Sequence, residues 1–334
     1  MPEPSQRYDD SFRGWPVQPQ NRQHPVRGSF LDPRPDPQLG AVYHTGVDVA
    51  VRDDRPERGA PPGRTHRVYA IERGVVRQAT PPGVCGSVRL GHFGYGHVDA
   101  RVSEGDSVRA GQLIGWTCLG WWHLHLTEWS FEKERPLLLN PLRPAGKLKP
   151  FADRAPPVIH DVRFFTPAEP RWARRAGNAA RLPPAGRRLD RTRLSGIVDV
   201  RARVSDPQSF VGWFRQVPAL AAPHHPHRLG LLLVRRDSGR VVLRRTVFLA
   251  LTAPSFATGQ HYAPGTMQNL PAKVCLARRG GPCDGVYWFR LFQRPYWNTA
   301  RLPNGRYLLV VRAWDPAGNR ARRDVELRIA NPLA

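Results

Sequence analysis

The feature that most constrains this chain is the period of its apolar residues. They recur at every second position in short runs broken by glycine, and no stretch of the first half carries a convincing helical period. Between residues 29 and 150 the runs are AVYHTGVDVAV, HRVYAIERGVVRQA, GSVRLGHFGYGHVDARV and HLHLTEWSF. They are rich in valine and aromatic residues, as a pleated, half-buried surface requires. A second series follows a Pro- and Lys-rich stretch at 141–157: VIHDVRFF, GIVDVRARV, GLLLVRR, RVVLRRTVF and RYLLVVRAW. The ending NGRYLLVVRAWDPAGNRARRDVELRIA reads as two strands joined by a turn at Asp315–Asn319. The pattern predicts an all-β chain, with an irregular tail at 1–28, a β domain at 29–150, a linker at 151–156 and an immunoglobulin-like β-sandwich at 157–331. The segments 167–192 and 252–284 read as long insertions in that sandwich.

No apolar run is long enough to cross a bilayer, so no membrane span is expected. The opening MPEPSQRYDDSFRGWPVQPQ lacks a basic start followed by an apolar block and does not read as a secretory signal peptide. The formal net charge is +24, and only four of the 51 basic residues are lysine. The near-exclusive use of arginine alongside 35 Pro and 30 Gly points to a GC-rich genome, so part of the charge is compositional. Its functional counterpart is attraction to an anionic polymer such as teichoic acid or acidic peptidoglycan. The arginines are scattered and no recognition motif accompanies them, which argues against nucleic acid. The four cysteines fall two in each half and form no CxxC pair, which argues against a cysteine zinc site. Two disulfides, Cys85–Cys118 and Cys275–Cys283, are the simplest pairing, and they imply an oxidising compartment.

Three short motifs carry chemistry. In His44-Thr45-Gly46-Val47-Asp48, Gly46 and the valines favour a strand, on which positions 44 and 48 face the same way and converge on one ion. In His123-Leu124-His125-Leu126, alternation aims both histidines at one face and both leucines at the core. Two imidazoles on one wall of a groove suit zinc, or zinc with a base beside it. The third motif, Tyr95-Gly96-His97, would attract no notice alone.

Taken in order, the motifs HTGVD at 44–48, YGH at 95–97, VSEGDSVRAGQLIG at 102–115 and HLH at 123–125 resemble the lysostaphin-like (LytM-like, glycyl-glycine endopeptidase) zinc metallopeptidases. The resemblance spans the first domain. It implies a small, mostly antiparallel barrel-sandwich β-structure of the duplicated hybrid motif type, with an open groove. It implies that His44, Asp48 and His125 bind Zn2+ and leave one position open for water. His97 and His123 would then serve as general base and as oxyanion donor, in an order the motifs do not assign. The substrate implied is peptide in bacterial peptidoglycan, which places the protein in the cell envelope or outside the cell.

The chain also departs from the family pattern. Its run between the Ile-Gly and the HLH is only WTCLGWW, residues 116–122, short and rich in tryptophan where relatives carry a longer Gly/Ser/Thr loop. These tryptophans are expected to pack rather than to stack on glycan. The acidic residue after the HLH stands one place late, at Glu128. An inactive relative that binds the wall or activates another hydrolase is the alternative reading, and the presence of all five His and Asp positions argues against it. VSEGDSVRAGQLIG also resembles the hairpin of lipoyl and biotinyl carriers, but no lysine occurs before Lys133 to be modified. An adhesive role for the second domain is left open. The HHPH at 224–227 sits in a Pro-rich stretch and reads as a solvated loop.

Overall fold

The computed structural model describes residues 14–36, 40–132, 135–168, 173–174, 180–209, 222–253, 260–268, 285–293 and 295–332. Their regular structure is almost all β-strand, with a 3-10 turn at Thr299–Arg301. Among the described residues no helix is long and apolar enough to cross a membrane.

The first domain contains β1 (Val26–Gly28), β2 (Pro33–Asp36), β3 (Gly40–Tyr43), β4 (Val47–Ala50), β5 (Arg64–Tyr69), β6 (Gly74–Ala79), β7 (Gly86–Leu90), β8 (Phe93–Ala100), β9 (Ser107–Val108), β10 (Leu113–Cys118), β11 (His123–Ser130) and β12 (Leu137–Leu139). Ten of these form one sheet with the path β1-β4-β11-β8-β7-β6-β9; β10 joins it against β8 and β5, and β12 against β11. The hairpin β2-β3 stands apart. Leu124 and Leu126 of β11 are fully buried, opposite Val49 and Val47 of β4. Each such leucine contributes roughly 2 kcal/mol by burial.

In β8 the apolar phase slips by one residue: Phe93 and Tyr95 are buried, then Val98 and Ala100. The ladder shifts at the same place, with Ser87 opposite Gly96 and Gly86 opposite Val98. His97 is therefore the extra residue of a β-bulge, and its φ of 62° is left-handed.

Two expectations need correction here. Residues 44–48 are not one strand, because β3 ends at Tyr43 and β4 begins at Val47. Gly46 packs so tightly on β11 that a Cβ there would lie 2.3 Å from the Leu126 carbonyl oxygen. His44 and Asp48 thus meet across a bend rather than along a pleat. Nor is the described part of the N-terminal segment irregular throughout. Trp15 is fully buried with its indole N–H on the Pro150 carbonyl at 3.0 Å, and β1 pairs with β4.

The second domain contains β13 (Val158–Phe165), β14 (Ala173–Arg174), β15 (Ala180–Arg181), β16 (Ile197–Ser205), β17 (Arg228–Arg235), β18 (Val241–Leu249), β19 (Met267–Gln268), β20 (Trp288–Arg290), β21 (Trp297–Asn298), β22 (Gly305–Trp314) and β23 (Arg320–Ile329). One sheet runs β13-β16-β20 with β21 also on β16, a second runs β18-β17-β22-β23, and a small third runs β14-β15-β19. Val200 and Ala202 of the first sheet and Leu231, Leu233 and Val311 of the second enter one apolar core, which continues into Phe30 and Leu31 of the first domain.

That continuity corrects the reading of the HHPH stretch. His224 and His225 are buried, and their rings reach the Val26 and Phe30 carbonyls at 2.5 and 2.8 Å. The stretch is a joint between domains, not a solvated loop. Cys85 and Cys118 are disulfide-bonded, with Cα atoms 6.0 Å apart. The expected Cys275–Cys283 pair lies outside the described residues.

Candidate metal centre

His44 is set by its backbone before its ring does anything. Its N–H donates to the Asp32 carbonyl at 2.8 Å and its carbonyl accepts from Leu31 at 2.9 Å. Its Nδ1–H donates to the Ser29 carbonyl at 2.8 Å, which leaves the Nε2 lone pair pointing inward. His125 sits directly opposite Asp48 in the β11–β4 ladder and opposite Gly96 in the β11–β8 ladder. Three atoms converge: His44 Nε2 lies 3.0 Å from His125 Nδ1 and 3.1 Å from Asp48 Oδ1, and His125 Nδ1 lies 3.0 Å from Asp48 Oδ1. Two imidazole nitrogens and one carboxylate oxygen, drawn together with their lone pairs inward, are a donor set that zinc accepts with room for a further ligand.

Two more histidines border this point. His123 Nε2 is 3.4 Å from Asp48 Oδ1, and its Nδ1 is 2.6 Å from the Trp121 carbonyl oxygen. Arg27 donates to the same carbonyl at 2.9 Å. The His97 ring stacks on Trp121 with centroids 3.7 Å apart and stands edge-on to His123 at 4.7 Å. Burial lowers His97 to about 4 and His123 to about 3, and it lowers His44 as well. Burial alone would raise Asp48, but the His123, His44 and His125 rings that face its carboxylate hold it well below the usual carboxylate range. Burial thus favours the neutral form of His44, His97 and His123 beside an ionised Asp48, the protonation that metal binding and proton acceptance both require. All five residues expected from the sequence are brought together.

Other residues of the centre give no sequence signal. Arg34 donates to the outer oxygen of Asp48 at 2.9 Å and to Gln268 of the second domain at 2.5 Å. Gly28 permits this contact, since a Cβ there would fall 2.4 Å from both Arg34 Nη2 and Asp48 Oδ2. Asp53 accepts from Gly120 N at 2.7 Å and Trp122 N at 3.0 Å, pinning the shortened loop. Within that segment Trp116 is buried under the Arg67 guanidinium, as packing predicts, whereas Trp121 is 39% exposed while stacked on His97. Glu128 is fully buried and accepts two hydrogen bonds from Arg143, so its displaced position secures β11 to the turn after β12. Tyr95 is a core residue whose hydroxyl accepts from Ile71 N at 2.8 Å.

No protein-family model matches the chain, and no curated protein matches it in sequence.

Proposed function

We propose that the chain is a zinc metalloendopeptidase that hydrolyses peptide bonds in the cross-links or stem peptides of bacterial peptidoglycan. The observation that carries this reading is the convergence of His44 Nε2, His125 Nδ1 and Asp48 Oδ1 at 3.0–3.1 Å, with His97 and His123 beside them. His44, Asp48 and His125 would hold the ion. When bound, zinc supplies Lewis acidity, which lowers the pKa of water and polarises a carbonyl.

The chain's own groups account for the rest. Arg34 holds the outer Asp48 oxygen so that the inner one faces the centre. His97 and His123, kept unprotonated by burial, divide two tasks: one accepts the proton of the attacking water, and the other donates to the developing oxyanion. Trp121 fixes the plane of the His97 ring. The ordered motifs shared with lysostaphin-like peptidases support wall peptide as substrate. The net charge of +24 supports attraction to an anionic wall polymer, and the Cys85–Cys118 disulfide supports an oxidising, envelope or extracellular location.

Metal analysis run in parallel with digestion of peptidoglycans of several cross-link chemistries tests the assignment. His44→Ala, Asp48→Ala and His125→Ala are expected to be zinc-poor and inactive. His97→Ala and His123→Ala are expected to keep most of their zinc while turnover falls ~10²–10⁴-fold. Cleavage by all five variants would place the active site elsewhere. Wild-type protein that holds zinc but cuts no wall peptide would instead be a wall-binding relative.

A further inference from the structure

A second cluster of metal-ligating side chains stands at the joint between the domains, built from residues the proposed hydrolase chemistry does not use. Asp153 lies in the linker, Asp206 directly follows β16, and Asp315 opens the turn between β22 and β23. Each offers one carboxylate oxygen within 4.8 Å of the other two. The residues are 7%, 4% and 3% exposed, respectively.

Their hydrogen-bond partners are neutral. Asp153 Oδ1 accepts from Ala155 N at 3.0 Å and Ser209 N at 3.1 Å. The Asp315 oxygens accept from the backbone and side-chain amides of Asn319 at 2.8 and 2.7 Å. Among the described residues, the buried Asp206 Oδ1 has no hydrogen-bond partner. Among the described residues no arginine, lysine or histidine forms an ion pair with any of the three. A cavity of about 20 Å³ opens beside Asp153 and Asp206 and has Pro316 in its wall.

Three adjacent buried carboxyl groups without a counter-charge cannot all ionise unaided: burial and the nearby Asp315 and Asp153 push Asp206 up to about 9, so a cation that binds there displaces a proton. A buried oxygen with nothing to bind marks a missing partner, and the small cavity is the size that admits one water beside it. Donors that are all oxygen select a hard cation. Carboxylates drawn from three separate segments form no preset octahedron; calcium accepts such a set at about 2.3–2.6 Å, whereas magnesium demands near-ideal octahedral geometry at about 2.0–2.1 Å.

We propose that Asp153, Asp206 and Asp315 form a calcium site that locks the joint between the two domains. The ion ties the linker, the end of β16 and the last hairpin to one point. Asp206 exchanges two backbone hydrogen bonds with His224, at 2.7 and 2.9 Å, and the His224 ring in turn grips Val26 of β1. The site is separate from the zinc centre and stands or falls independently of it.

The experiment is calcium titration of the full chain after treatment with a chelating resin, read by calorimetry and by thermal unfolding. The expected result is one saturable calcium per chain with a midpoint below about 1 mM, and weaker binding of magnesium. The melting temperature should rise by several degrees on saturation. Asp206→Asn and Asp153→Asn should each weaken calcium binding at least tenfold, and His44→Ala should leave it unchanged while abolishing zinc binding. The wild-type titration needs no variant, so a folding defect in either Asn variant does not shield the proposal. No saturable calcium in the wild type overturns it, as does equal affinity for magnesium, or calcium binding that survives in both folded Asn variants.

Discussion

At the scale of the single residue, the centre divides into groups the sequence displays and groups it hides. The five His and Asp positions are legible because each sits in a short motif whose spacing has chemical meaning. The bulge at His97 is also written in the chain, as the phase slip in FGYGHVDA from Phe93 and Tyr95 to Val98 and Ala100. Arg34 and Asp53 are not legible. Their contacts span 14 and 67–69 positions and follow no period, so only closure of the fold brings them to Asp48 and to the loop before His123. Arg34 yields a prediction. Its loss would leave the buried Asp48 Oδ2 free to turn, so Arg34→Leu should weaken zinc binding about 10–100-fold while Arg34→Lys recovers part of the loss. Competition with a chromogenic chelator measures this. Tighter zinc binding in Arg34→Leu would show that repulsion between the guanidinium and the ion outweighs its positioning of the carboxylate.

At the scale of the element, alternation placed the strands well and failed where the chain bends. It locates β11, β13, β16, β17, β18, β22 and β23, and it mistakes the bend at Thr45–Gly46 for a pleat because a glycine between two apolar runs looks the same in both cases. The loop from Leu119 to Trp122 is the element on which the proposed chemistry depends most. It is short, it carries a left-handed residue at Trp122 with φ 60°, and it presents the Trp121 ring to His97 and the Trp121 carbonyl to His123. Asp53 and the disulfide at Cys118 hold its shape. Closing a 33-residue separation, that disulfide should stabilise the fold by about 3–4 kcal/mol in the chain-entropy account. Cys85→Ser with Cys118→Ser should therefore lower the denaturation midpoint, and Asp53→Ala should reduce turnover more than zinc content. Urea titration and metal analysis check the two effects, and equal losses of zinc and turnover in Asp53→Ala would contradict a positioning role for this loop.

At the scale of the whole molecule, the second domain is fastened to the first through the segment from Val26 to Arg34. Tyr262 donates to the Leu31 carbonyl at 2.9 Å, and Tyr287 and Gln268 donate to the two Asp32 oxygens at 2.9 and 2.8 Å. None of this was readable from generic sandwich strands, because tyrosines and histidines at a joint have no spacing rule. Truncation after residue 150 should accordingly lower both zinc affinity and resistance to proteolysis. Histidines buried away from the candidate metal centre contribute to the pH response. Burial lowers His66, His227 and His261 to about 4 each, against 6.5 for the exposed side chain. Between those values the unfolded chain binds protons that the folded chain refuses. The stability these three rings contribute is therefore intact above pH 6.5 and falls as the pH drops toward 4, by at most about 1.4 kcal/mol per pH unit for each histidine. Thermal melts across that range test the slope, and a flat profile would mean these rings take up protons while folded.

The grip on Val26 has one more outcome, which concerns assembly rather than catalysis. β1 ends the large sheet, and such a margin ordinarily invites another extended chain to zip alongside it. The Gln208 amide accepts from Val26 N and donates to Val26 O, both at 2.8 Å, so one side chain counterfeits the neighbouring strand that is missing there. An extended peptide consequently has no free margin to pair with at Val26. Another copy of the protein finds the same place taken. Gln208→Ala should expose that margin and make the protein self-associate as its concentration rises, which light scattering would register.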